Sequence, residues 1–147
     1  MIRRKVDTIE FLGSLPLVIR WAQKAYELKR ADIELMIYLY PLKFFTTQQF
    51  KDGAYIYSWD KNRFLRLNRE EWFEKIYKGN RKQGEHDKYK LSKKAVLMIN
   101  RIDRILHREE LIPESPLRNP IMKGNSYSDK ILATAIKKYN KETRKTL

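Results

Sequence analysis

The chain predicts a mainly α fold with one small β hairpin (α+β), and three observations lead there. Apolar residues recur at three- and four-residue spacing in long segments toward both ends. Two short helical segments lie close together between residues 46 and 69. Two strand-like runs, 72–77 and 87–91, follow them around a polar loop bracketed by glycines.

In chain order, 15–28 reads as a first helix, with Leu17, Val18, Trp21, Ala22 and Ala25 on one face. Pro16 suits its first turn, where a missing N–H costs nothing. A second helix runs over 31–40, with Ile33, Met36, Ile37 and Tyr40 apolar, and Pro41 ends it. Phe44-Phe45 fits a one-rung strand closing the small sheet. Thr46 to Asp52 opens like a short capped helix, 53–57 turns the chain, and Ser58 to Arg69 reads as the next helix behind a serine N-cap. After the hairpin, Ser92 caps a long helix to about Glu110, with Ala95, Met98, Ile99, Ile102, Ile105 and Leu106 on one side. Pro113, Pro116, Pro120 and Gly124 mark an irregular connection. Ser126 or Ser128 then opens a last helix striped by Ile131, Leu132, Ala135, Ile136 and Tyr139.

Helix, turn, helix and a basic-tipped hairpin form the outline of a winged helix-turn-helix. Such a domain sets its second helix in the major groove of DNA and its hairpin against the backbone. Composition agrees with a nucleic-acid partner. The chain has 147 residues, 42% of them hydrophobic and 12% aromatic, with a net charge of +14 and a pI near 9.9. The charge is densest in the middle: 12 basic against 6 acidic residues over 58–94, 9 against 6 over 1–57, and 11 against 6 over 95–147. No apolar run reaches the roughly 18 residues of a membrane span. The N-terminus has a positive start without an apolar signal core, so a cytoplasmic protein is expected, bacterial and possibly phage-encoded. There is no cysteine, which excludes disulfides and thiolate metal sites.

The expected organisation is a single domain over 1–147, with 29–94 as the winged-helix core and 1–28 and 95–147 as dimerisation helices. A winged helix has its own core, so the flanking stripes need something else to cover. A second copy of the chain is the economical partner, with Leu17, Val18, Trp21, Ile131, Leu132, Ile136 and Tyr139 at the interface; the alternative is that the stripes pack on each other within one chain. On a helical wheel with Phe64 inward, Ser58, Trp59, Asn62, Arg66 and Arg69 fall opposite, and Lys61 and Arg63 flank them. Arginine and asparagine are the residue types that read guanine and adenine by paired hydrogen bonds. Trp59 fits a core or interface position equally well. In the hairpin loop, Lys78, Asn80, Arg81, Lys82 and Lys88 are candidates for the backbone, with Arg81 best placed for a minor groove.

Nearly the whole chain resembles the MarR family (multiple antibiotic resistance regulators). Leu28-Lys29-Arg30-Ala31-Asp32-Ile33-Glu34-Leu35-Met36-Ile37-Tyr38-Leu39 is similar to the family's second helix, and Phe45-Thr46 to the apolar-Thr pair before its third. Phe50, Ile56 and Phe64 fall where the family anchors its helix-turn-helix. Tyr89-Lys90-Leu91-Ser92-Lys93-Lys94-Ala95 resembles the junction between wing and long helix, with Ala95 in place of the family's glycine. Asn80-Arg81-Lys82 stands where the family has Asp-x-Arg, and Trp59 and Asp60 are unusual at the start of a reading helix. The resemblance implies a homodimeric transcription regulator that binds double-stranded DNA.

Enzymatic chemistry finds little support. Glu85-His86-Asp87 cannot all face one ion from a strand, Asp103 and His107 are spaced for a salt bridge, and no phosphate loop, nucleophile motif or zinc spacing occurs. No cofactor is expected, and a small-molecule effector is left open. Two other functions compete with the regulator. One is an architectural winged-helix protein of replication, partition or packaging, which a phage or plasmid origin would favour. The other is a protein-interaction winged helix.

Overall fold

The computed structural model describes residues 6–53 and 61–146. These form six helices and one antiparallel hairpin: α1 (Thr8–Ala25), α2 (Arg30–Leu39), α3 (Thr47–Gly53), α4 (Lys61–Arg69), β1 (Phe73–Tyr77), β2 (Lys88–Leu91), α5 (Lys93–Leu106) and α6 (Tyr127–Arg144). Short 3-10 turns stand at Arg81–Gln83 and Pro120–Lys123. Among the described residues no helix is long and apolar enough to cross a membrane.

The chain divides into two compact units, a central one over Ala31–Ile99 and a terminal one built from Met1–Arg30 with Asn100–Leu147. The sequence reading divides it after 28 and after 94.

The central unit is held by aromatic rings, one from nearly every element. Phe50 of α3 meets Phe64 of α4 with ring centres 5.3 Å apart, and Phe64 meets Tyr89 of β2 at 5.2 Å. Phe73 of β1 packs on Phe45 at 5.1 Å. Edge-to-face pairs of this kind add roughly 0.5–1.5 kcal/mol beyond area burial. The hairpin pairs Phe73 with Leu91, Glu74 with Lys90 and Lys75 with Tyr89, then shifts register at Ile76, so that Tyr77 faces Lys88. Phe45 adds the single extra rung, with its N–H and carbonyl bonded to Tyr89 at 2.7 and 2.8 Å. Asp32 of α2 is fully buried, and Arg66 of α4 donates to both its oxygens at 2.8 and 2.7 Å.

In the terminal unit α1 begins at Thr8, well before the expected Leu15, and Pro16 lies inside the helix. The missed start is Asp7, whose carboxylate accepts the Ile9 N–H at 2.7 Å, with Glu10 following in the first turn. That cap and the burial of Val18, Ile19, Trp21 and Ala22 outweigh the one donor that Pro16 removes.

The expected interface side chains are occupied within the chain. Val18 and Ile136 are fully buried, Trp21, Leu132 and Tyr139 are buried, and Leu17 is half-buried; only Ile131 stays exposed. The stripes of α1 and α6 face each other and the turn at 120–123, so they do not need a second copy to cover them. Arg108 fastens this unit. It reaches Glu10 of α1 at 3.3 Å, donates to the Tyr139 carbonyl and Thr143 hydroxyl of α6 at 2.9 Å each, and lies 3.7 Å above the Tyr139 ring. Asn140 closes the connection after α5, accepting the Ile112 N–H at 2.9 Å and donating to its carbonyl at 2.8 Å.

Three helices end alike. The N–H of Leu28, Trp72 and Glu109 reaches back to the carbonyl of Gln23, Leu67 and Arg104 at 3.0, 2.9 and 2.9 Å. This six-to-one closure puts the preceding residue in the left-handed region, where glycine is usual. Here the residues are Glu27, Glu71 and Arg108, with φ of 54°, 64° and 61°.

Candidate nucleic-acid interface

Helix α4 offers three faces. Phe64 and Leu67 enter the core. Arg63 and Arg66 turn toward α2, where Asp32 holds them at 3.4 and 2.7 Å, and Arg66 also reaches Glu70 at 3.6 Å. Lys61, Asn62, Leu65 and Arg69 are exposed. The expectation that Arg66 aims outward, with Arg63 on the flank, is therefore corrected: a buried carboxylate recruits the nearest guanidinium groups, and α2 supplies that carboxylate. Leu65, 47% exposed, stands in the middle of the outer face and was absent from the expected set. A wheel centred between Phe64 and Leu67, rather than on Phe64 alone, would have placed it there. Ser58 and Trp59 lie outside the described residues, as does Ile56.

The loop between β1 and β2 is a folded object. Asn80 caps its 3-10 turn, accepting the Lys82 N–H at 3.0 Å, so its side chain is structural. Gly84 follows with φ 73°. The backbone of Gly79 lies against Glu85 and His86 so closely that a Cβ there would collide with both. Asp87, buried at the loop's base, accepts the Gly79 N–H at 2.9 Å, Arg81 at 3.1 Å and Lys75 at 3.2 Å. The Gly79 N–H foremost, then Lys75 and Arg81, hold its carboxyl below the usual range. Glu85 is lowered as well, chiefly by the Tyr77 hydroxyl that donates to it, and the same bond raises Tyr77.

The loop's own carboxylates are thus occupied, and its cations divide into two kinds. Lys78 and Lys82 project outward, while the exposed Arg81 is tethered to Asp87. Lys88 lies back over Phe44 at 4.7 Å and Tyr77 at 5.4 Å. Tethering shortens the reach expected of Arg81 toward a minor groove.

Between α3, α4 and this loop runs a cleft of about 420 Å³, floored by Phe64, Leu65 and Tyr89 and edged by Lys51, Lys61, Arg81 and His86. A backbone phosphate seated there would meet cations on both walls. Among the described residues no group of His, Cys, Asp and Glu is placed to hold a metal ion. Asp103 and His107, one turn apart, meet at 3.1 Å, the side-chain contact expected of their spacing.

Comparison with protein-family models, curated proteins and solved structures finds no match for this chain.

Proposed function

We propose that this chain is a sequence-specific double-stranded DNA-binding regulator of winged helix-turn-helix, MarR-like type. In this reading α4 enters the major groove and the 78–87 loop rests on the backbone. One observation carries it: the outer face of α4 and the cationic loop belong to one compact unit and border one basic cleft. On that face Asn62 suits adenine, Arg69 suits guanine, and Leu65 offers an apolar contact to a thymine methyl. Lys78 and Lys82 supply phosphate contacts that fix register. Homodimerisation, which the resemblance implies, stays part of the reading, carried by side chains that the fold leaves outside.

The test is a set of titrations at one fixed salt concentration, using a preferred duplex selected from random sequence and an unrelated one. Asn62→Ala and Arg69→Ala should each cost about 1–3 kcal/mol on the preferred duplex and much less on the other. Lys82→Ala should weaken both equally and, over a range of salt, reduce the salt slope by about one phosphate's worth. Equal losses on both duplexes for Asn62→Ala and Arg69→Ala would give the architectural function precedence. The spread of charge favours that second reading, since 18 basic against 9 acidic residues lie in the terminal unit, outside the reading head.

A further inference from the structure

We infer that the outward face of α6 is a second DNA surface, one that grips the phosphate backbone of a duplex without reading bases. The inference goes beyond the reading head and uses none of its residues.

Lys130, Lys137, Lys138, Lys141 and Lys145 are all exposed, and their spacing keeps them within one arc of the helix. The opposite arc holds Leu132, Ile136 and Tyr139, buried in the terminal unit. The carboxylates that would temper such a row are occupied elsewhere: Glu142 reaches Arg108 at 3.6 Å, and Glu114 takes Arg144 at 2.8 Å and Asn140 at 2.9 Å. Lys137 adds to the field on Glu114 without pairing with it. Among the described residues none of these five lysines lies within ion-pair distance of a carboxylate.

Two general effects fail to account for this row. Favourable interaction with the helix dipole explains Lys141 and Lys145 near the C-terminus, but Lys130 sits in the first turn, where a cation is disfavoured. Surface solubility is served by interspersed signs, whereas Lys137, Lys141 and Lys145 stand four residues apart and repel one another. A row that repels itself is relieved by a polyanion. At 1.5 Å rise per residue it extends about 22 Å, and a duplex carries one negative charge per roughly 1.7 Å of axis. A lipid surface fits less well, because interfacial helices insert a broad apolar face and that of α6 is already buried.

The experiment uses the full chain with Lys137→Ala, Lys138→Ala and Lys141→Ala together, titrated against random-sequence duplex over a range of salt. The slope of log affinity against log salt should fall by about 2.7, or 0.9 for each phosphate no longer neutralised. Preferred and random duplexes should lose affinity by the same factor, so their ratio is unchanged; loss of that ratio belongs instead to the α4 variants. The corresponding triple arginine variant should keep the wild-type slope. Far-ultraviolet circular dichroism should match wild type, since all three side chains are exposed. An unchanged slope in the alanine variant overturns the inference. So does capture of the wild type by vesicles of phosphatidylserine and phosphatidylcholine in equal parts when it does not bind duplex.

Discussion

Asp32 and Arg66 illustrate how a residue can be placed correctly on a helix and still be misread. The wheel gives the direction of the Cα–Cβ bond, and an arginine has enough length to turn back toward a buried carboxylate on another helix. The partner was invisible because Asp32 lies in α2, 34 positions away, amid an apolar face that gave no sign of a charge inside it. Arg66→Ala should therefore act on stability: about 1–3 kcal/mol lost in urea denaturation, as Asp32 keeps Arg63 but loses its shorter partner. Preservation of stability with loss of DNA discrimination would return Arg66 to the reading face. Asp87 makes a second prediction. Its folded carboxyl is held below the ordinary value of 3.8, so its contribution is present above that value and is lost as pH falls through the lower folded one. Asp87→Asn should remove that part of the acid dependence, measured as the unfolding midpoint against pH, and should loosen the loop at all pH values.

The elements were legible wherever periodicity or turn chemistry was local. The hairpin, its glycine-bracketed loop, the Phe45 rung and the irregular connection around Pro113 and Pro120 all correspond to features of the described fold. Helix α1 was not, because Pro16 is a strong local signal for a start while Asp7 is a weak one, and packing decided between them. The helix ends hold a further lesson, since no glycine announced the three six-to-one closures. A non-glycine residue in the left-handed region costs about 1–2 kcal/mol. Glu71→Gly, at the end of α4, should therefore raise stability by roughly 1 kcal/mol after the added freedom of the unfolded chain is subtracted. A lower urea midpoint for that variant would mean that the Glu71 side chain makes interactions worth more than the backbone relief.

For the whole molecule, the sequence signalled apolar stripes at both ends but not what covers them, because amphipathic spacing is the same for a stripe buried at home or against a copy. Burial of Val18, Trp21, Leu132, Ile136 and Tyr139 within the terminal unit settles where they go. Ile136→Ala should lose about 2–5 kcal/mol, as expected for a fully buried isoleucine. That loss should be independent of protein concentration and leave the sedimentation behaviour unchanged. A loss that grows or shrinks with protein concentration relative to wild type, or a changed sedimentation, would put Ile136 at an interface.

Arg108 joins Glu10 near one end of the chain to Tyr139 and Thr143 near the other, which has a bearing on synthesis. At roughly 5–20 residues per second, α1 leaves the ribosome several seconds to some tens of seconds before α6 exists to receive it. The central unit, contiguous from 31 to 99, has all its own partners much sooner. The usual order, in which the N-terminal part folds first, is therefore inverted. Until the 120–123 turn and α6 have been made, the apolar stripe of α1 lacks the elements it packs against, and in that interval the chain is more exposed to aggregation.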